Sequence, residues 1–397
     1  MVIKTYKVML LPNKKQQTRL FQFANASRFA YNWAIAREIA NYNDGNKFLS
    51  DTKLRKEFTQ LIHTEFKWLE QISCDVTKQA IKDVVTAYRR FFKGLAKHPR
   101  FKKKFKSKPS FYQDNIKIKI TGTHVKLTGL SSSKRRNKQK LNLIKFAEKN
   151  YVPVGVKYHN PRVSYDGLHW WLTVGVEISE TVKPDISSLN LSDGIGIDIG
   201  IKDLAVTSDG KVYENINKTK QIRNLEKRKR RLQRSVSRKY LLNKKGDSYC
   251  KTKNIIKRQK ELLKLQKRLN NIRYNYINQV SSDIVKRKPS FICMEDLNVA
   301  GMLKNRHLAK AIQQQLLGEF YRVINYKADW SGIWFVTAYR YFPSSKMCCI
   351  CKNIKKDLKL SNRVYHCICG NVIDRDYQAS INLRDYGADK LAGMLVG

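Results

Sequence analysis

Apolar and polar residues alternate weakly over residues 2–11, the two-residue period of a half-buried strand. From Asn13, a suitable N-cap, the period lengthens. Leu20, Phe23, Ala24, Tyr31, Ala34 and Ile35 fall on one stripe of a long helix. A second helix is expected over 51–66 and a third over 76–96. In the third, Val76, Ala80, Val84, Ala87, Phe91 and Leu95 share a face, with Lys78, Lys82 and Arg89 away from it. These three helices predict a small bundle. Residues 114–179 return to period two, through Ile116, Ile118 and Ile120, then Val154, Val156 and Tyr158, then Trp171, Thr173, Gly175 and Glu177. With residues 2–11 these strands predict a small β-barrel into which the bundle is inserted. A Ser/Asn-rich stretch with Pro184 reads as a linker over 181–193.

The second half opens on an apolar, glycine-interleaved strand at 194–206, and Asp209-Gly210 signals a hairpin. Residues 216–285 turn helical. One arm carries Ile222, Leu225, Leu232, Val236 and Tyr240. The other carries Leu262, Leu265, Leu269, Ile272, Tyr276 and Val280, with Gly246 marking the turn between them. The spacing predicts an antiparallel helical hairpin. An apolar run at 291–294, a helix over 308–330 and a strand at 335–337 follow.

Charge changes the picture. The 397 residues carry a formal net charge of +47, spread through the whole chain. Such a chain repels itself unless a polyanion neutralises it, and nucleic acid, RNA in particular, is the expected polyanion. At 97–113 aromatics interleave with cations: Arg100, Phe101, Lys102, Lys103 and Phe105 suit phosphate contact and base stacking. Residues 131–140 form a second basic loop. Arg228, Arg230, Arg231 and Arg234 lie opposite the apolar stripe of the first hairpin arm and suit a duplex backbone. Thr77, Lys78, Gln79 and Lys82 on the third helix can donate to base edges in a major groove. The chain holds no apolar window long enough for a membrane span, and its N-terminus lacks a signal-peptide pattern, so no membrane is expected.

Two clusters carry chemistry. Asp198 lies in the apolar 194–206 strand, Glu295 ends the 291–294 run, and Asp376 follows Asp374 near the C-terminus. A buried, unpaired carboxylate is costly. Three acids in the order Asp, Glu, Asp, two of them on apolar strands, suggest a carboxylate cage for Mg²⁺. Five of the eight cysteines fall between 348 and 369. That clustering points to metal and a reducing compartment rather than a disulfide framework. Cys348-x₂-Cys351 followed by a second pair at Cys367 and Cys369 signals a structural zinc ribbon.

Several motifs resemble those of the TnpB family of insertion-sequence proteins, relatives of compact type V CRISPR effectors. They are the Asp198 strand, the 293–302 stretch after Cys293, the Pro343-Ser344-Ser345-Lys346-x-Cys348 knuckle, and Asp374-Arg375-Asp376. In the first half, residues 27–33, 78–83 and 99–102 resemble it too. The resemblance implies an α+β multidomain fold. A wedge-type β-barrel (1–12 and 97–180) would hold an inserted helical recognition domain (13–96). A RuvC nuclease domain of RNase H-like α/β fold (194–397) would follow, with a helical hairpin insert (216–285) and a zinc ribbon (343–371). It implies an RNA-guided DNA endonuclease that binds a guide RNA and double-stranded DNA, reads a short target-adjacent motif, and cuts with two Mg²⁺ ions. The catalytic acids would be Asp198, Glu295 and Asp376, with Asp374 as the fallback. One structural Zn²⁺ would sit on Cys348, Cys351, Cys369 and either Cys367 or His366. The family's usual Asn is replaced by Gln378. A monomer, with a dimer as alternative, in the cytoplasm of a bacterial or archaeal cell and associated with its nucleoid, is expected. The competing readings are a guide-directed binder with weak catalysis and a structure-selective RuvC-type nuclease.

Overall fold

The computed structural model describes residues 2–104, 106–131, 140–179, 181–358 and 362–396. It is an α+β chain with two compact units, Met1–Ser179 and Glu180–Gly397. The basic loop at 131–140 falls almost wholly outside the described residues, as does Phe105.

In the first unit, β1 (Val2–Leu11) leads into α1 (Lys14–Asn43). The cap forms as the sequence suggests. The Asn13 side chain accepts from the Gln16 N–H, and the Gln16 side chain accepts from the Asn13 N–H. Then come α2 (Asp51–Thr64) and α3 (Cys74–Phe92). α3 stops short of the expected 96 because Gly94 adopts a left-handed φ of 69°. Leu95 is consequently exposed rather than on the buried stripe.

The strands β2 (Ser110–Tyr112), β3 (Lys119–Ile120), β4 (His124–Lys126), β5 (Leu143–Phe146), β6 (Tyr158–Tyr165) and β7 (Trp170–Ile178) join β1 in one antiparallel sheet. Its order is β2-β6-β7-β1-β5-β4-β3. The expected barrel is not closed: β2 and β3 are the edges, and no ladder joins them among the described residues. The segment between them is spent on a turn instead. The Asp114 side chain accepts from the N–H groups of Ile116 and Lys117, and Ile116 is left 85% exposed. Val154 and Val156 likewise lie outside β6 and exposed. Along β7 the buried phase is Trp170, Leu172, Val174 and Val176, the residues between those of the sequence pattern. Sheet and helices share one hydrophobic core, in which Phe23, Phe58 and Val84 meet Val8, Phe111 and Leu172.

The second unit is built on five strands: β8 (Ile195–Ile199), β9 (Asp203–Thr207), β10 (Val212–Glu214), β13 (Phe291–Glu295) and β14 (Trp334–Ala338). Between β10 and β13 run α4 (Lys220–Leu242), the short ribbon β11 (Lys244–Lys245) and β12 (Ser248–Tyr249), and α5 (Lys253–Lys286). The order is β10-β9-β8-β13-β14, with β10, β9 and β8 antiparallel and β8, β13 and β14 parallel. After β13 come α6 (Val299–Met302), α7 (Ala309–Gln315) and α8 (Leu317–Trp330). The single helix expected over 308–330 is broken at Leu316, which takes a left-handed φ of 56°. β15 (Val364–His366) and β16 (Val372–Asp374) pair, and α9 (Arg375–Val396) closes the chain. α5 and α8 cover one face of the five-stranded sheet, and α9 covers the other.

Candidate active site and cysteine centre

Strand period two sorts the residues of β8. Ile195 and Ile197 enter the core shared with α5 and α8, so Gly196 and Asp198 face α9. β13 repeats the arrangement. Ile292 and Met294 join that same core, while Phe291 and Cys293 pack with Leu383 and Leu391 of α9. Glu295 continues the α9-facing phase. The parallel register pairs Cys293 with Gly196 and Met294 with Ile197, so its next step sets Glu295 beside Asp198. α9 approaches through Gly196, against the main chain of Ser380 and Arg384. Asp376 lies one helical turn before Ser380, at the end of α9 that overlies Asp198.

Electrostatics report the same gathering. The Asp198 carboxyl is held well above the usual carboxylate range, by burial first and then by the charges of Asp376 and Glu295; Arg375 opposes this. Burial, helped by Asp296, pushes Glu295 up to about 7. Two hard-oxygen ligands whose ionised forms are disfavoured by burial and mutual repulsion fit a divalent cation, which relieves both. Asp374 has a different task. Its Oδ1 accepts from the N–H groups of Asp376 and Tyr377 at 2.9 and 3.1 Å, capping α9. Behind the acid, Gln378 is fully buried, with Oε1 facing Asn371 at 3.5 Å and Nε2 without a protein partner.

The sulfur centre is tighter. The Sγ atoms of Cys348, Cys351, Cys367 and Cys369 all lie within 4.8 Å of one another. Cys348–Cys369 is 3.7 Å and Cys351–Cys367 is 3.4 Å. A zinc tetrahedron with sulfur about 2.3 Å from the ion spaces its sulfurs about 3.8 Å apart. The four thiols fit that ion, and His366 is outside the cluster. Among the described residues these four form the one cluster of three or more metal-ligand side chains drawn together; the three acids are neighbours without forming so tight a set. Although burial opposes it, the N–H groups of Cys351 and Ile350 and the Asn371 amide pull the Cys348 thiol down to about 6, which favours the ligating thiolate. Asn371, whose Nδ2 is 3.4 Å from the Cys348 sulfur, carries no spacing signal in the sequence.

The residues expected to meet nucleic acid divide. Lys78 and Lys82 stand exposed on α3. Thr77 is buried and its hydroxyl donates to the Cys74 carbonyl. Gln79 donates to Asp83, which Arg162 grips with two hydrogen bonds. Position 77 lies one residue from Val76 and three from Ala80, so it turns toward the core stripe. Arg100, Phe101 and Lys103 are exposed. Lys102 is turned inward: its backbone pairs with the Asn32 amide, and its ammonium sits 3.6 Å from the Tyr31 ring centroid. Arg228, Arg230, Arg231 and Arg234 are all exposed on α4. Sequence reasoning passed over Glu38, a carboxylate buried on the apolar stripe of α1 after Ala34 and Ile35.

Comparison with known proteins places the chain. Residues 180–306 match the family described as "Probable transposase", residues 1–47 a "Helix-turn-helix domain" of the same insertion-sequence group, and residues 318–383 a "Cas12f1-like, TNB domain". An Escherichia coli K12 protein named "Putative RNA-guided DNA endonuclease InsQ" is 27% identical, over 92% of this chain and 87% of that one. A Streptomyces pristinaespiralis protein named "Putative RNA-guided DNA endonuclease" is 28% identical, over 96% and 89%. A solved Cas12f1–sgRNA–target DNA complex aligns with a TM-score of 0.36 at 14% identity, over 97% of this chain and 99% of that one.

Proposed function

The chain belongs to the TnpB family of insertion-sequence proteins, and on that premise we propose that it is an RNA-guided DNA endonuclease whose cutting centre is Asp198, Glu295 and Asp376. The observation that carries the reading is the convergence of these acids from β8, β13 and α9, elements far apart in sequence, on one face of one sheet. The sheet order, three antiparallel strands followed by two parallel ones, is that expected of an RNase H-like RuvC fold. The first unit then supplies the wedge-type sheet (1–12 and 97–180) and the recognition bundle (13–96), and 181–193 links it to the nuclease domain.

In this reading Asp198, Glu295 and Asp376 would hold a pair of Mg²⁺ ions, which when bound would supply an activated water and offset negative charge at the scissile phosphate. The chain's own residues set the stage. Asp374 caps α9 and so orients Asp376. Cys348, Cys351, Cys367 and Cys369 hold a structural zinc that braces β15 and β16, and β16 runs directly into α9. The exposed arginines of α4 clamp duplex backbone, and Lys78 and Lys82 face the target-adjacent motif. Arg100, Phe101 and Lys103 contact the guide. Among the described residues no helix is long and apolar enough to cross a membrane. A monomer acting in the cytoplasm of a bacterial or archaeal cell, beside its nucleoid, completes the proposal.

The test is to sequence the RNA that co-purifies with the protein and to offer DNA matched to its variable end. Cleavage of matched DNA by the wild type, lost in Asp198→Ala while RNA binding stays, is the expected result. Random RNA with cleavage indifferent to its sequence would replace this reading with a structure-selective nuclease. Matched binding without cleavage would leave a guide-directed binder.

A further inference from the structure

The helical part of the first unit carries a cavity of about 480 Å³ between the C-terminal ends of α1 and α3, which nothing in the nuclease reading uses. Its walls are aromatic. Phe48 lies 5.5 Å from both Tyr88 and Phe92, centroid to centroid, and the Tyr88 and Phe92 rings are stacked at 6.0 Å. His98 stands edge-on to Tyr88 at 5.3 Å. Phe92 is 62% exposed, so a flat aromatic face is open to solvent at the mouth.

One charged group lines this apolar space. Glu38 is only 4% exposed. Its Oε2 takes a long 3.4 Å hydrogen bond from the Leu49 N–H, and its Oε1 has no partner. The neighbouring Arg37 is occupied by Glu57. A buried carboxylate oxygen without a donor is costly and calls for an N–H from whatever enters.

We propose that this cavity is a pocket for a single unstacked nucleobase whose amino edge donates to Glu38 while its ring stacks on the Phe48–Tyr88–Phe92 cluster. Its volume suits a base with its sugar. Stacking on aromatic side chains is sequence-tolerant, so the carboxylate supplies the selection. Guanine, adenine and cytosine each present an exocyclic amino group. Uracil and thymine present one ring N–H flanked by two carbonyl oxygens, which a carboxylate repels. An organic cation would suit the same carboxylate, but the +47 charge of the chain repels cations and draws polyanions. Lys47, Lys93 and Lys97, each next in sequence to a lining aromatic, are exposed and placed to meet the flanking phosphates.

The proposal leans on the nuclease reading only for the source of the base, and its test does not use cleavage. Neutral nucleosides remove the non-specific pull of the charge. Saturation-transfer NMR on the full-length protein with guanosine, adenosine, cytidine and uridine should show the first three binding and uridine at least fivefold weaker. Phe92→Ala, at a ring 62% exposed at the mouth, should weaken all of them about tenfold. Glu38→Gln, which keeps shape and adds a donor, should erase the discrimination against uridine. Equal binding of uridine by the wild type, no effect of Phe92→Ala, or no nucleoside binding would each overturn the proposal. Ultraviolet crosslinking then identifies the source. Adducts on residues 38–48 or 88–98 from co-purified RNA assign the base to the guide, adducts from bound DNA assign it to the target, and adducts from neither overturn the pocket.

Discussion

Gly196 of β8 lies so close to the main-chain carbonyl of Ser380 in α9 that a single methyl group at position 196 would overlap it. This contact seats the helix that carries Asp376 on the strand that carries Asp198. Gly196→Ala must therefore push α9 away, because the clash is with backbone and no rotamer relieves it. We expect a loss of about 3 kcal/mol in urea denaturation, at the upper end for overpacking, and loss of cleavage with every acid intact. Gly393→Ala, on the same helix with open space around it, should be neutral or slightly stabilising. Equal stability of Gly196→Ala and wild type would refute the close seating.

The carboxylates give a pH signature in chelator. Glu295 titrates at about 7 in the folded protein against 4.5 in the unfolded chain. The folded state holds a proton there that the unfolded state has released. The stabilising contribution is thus present below the unfolded value and is lost as pH rises toward 7. Relative to wild type, Glu295→Gln should gain on the order of 2 kcal/mol between about pH 4.5 and pH 7. Parallel stability profiles for the two proteins would contradict the buried placement of this acid.

Zinc stoichiometry decides the cysteine centre. Cys351→Ser and Cys367→Ser should each lower bound zinc in elemental analysis, and His366→Ala should leave it at one per chain. Because β16 runs into α9, zinc loss should also speed amide exchange at 372–378. Zinc lost with His366→Ala and kept with Cys367→Ser would reverse the ligand choice.

The hairpin arms α4 and α5 are tied by a buried ion pair, Arg273 Nη2 to Glu226 Oε1 at 2.9 Å, with Asn217 accepting from Arg273 Nε at 2.8 Å. Glu226→Ala leaves the guanidinium buried and unpaired and should cost about 3 kcal/mol. The double variant Glu226→Leu with Arg273→Met should recover most of that. In the folded protein the Glu226 carboxyl sits below its ordinary value despite burial, held by Lys229 and Arg273. Its stabilisation is present above the unfolded value and lost as pH falls. A double variant no better than the single one would show that the pair sits in a site no apolar side chains can fill.

Lys78 and Lys82 are exposed cations in the first half of α3, and changing either to alanine is expected to weaken cleavage while RNA association is nearly unchanged. Affinity measured alone says little for so basic a chain, so the readout is a library of targets with randomised flanks. Variants that keep the wild-type flank preference would move motif reading elsewhere on the protein.

The amino-acid sequence by itself determined local signals and marked which residues are candidates for chemistry. The glycine-interleaved apolar strand around 195–199, the apolar run at 291–294, the Asn13 cap and the cysteine spacing are local signals, written in residues a few positions apart. Asp198 and Glu295 were legible because charge inside or at the end of an apolar run is costly wherever it folds, and Asp376 through the resemblance of its motif. Tertiary structure decided what covers each apolar face. It set Glu295 beside Asp198 through a register spanning nearly a hundred residues, and it brought α9 over both through Gly196. It left the seven-stranded sheet open, turned Thr77 and Lys102 inward, chose Cys367 over His366 for the sulfur cluster, and buried Glu38 in an aromatic pocket. Periodicity reports that a face must be buried. Which partner buries it depends on contacts between distant segments, whose energies no local window contains.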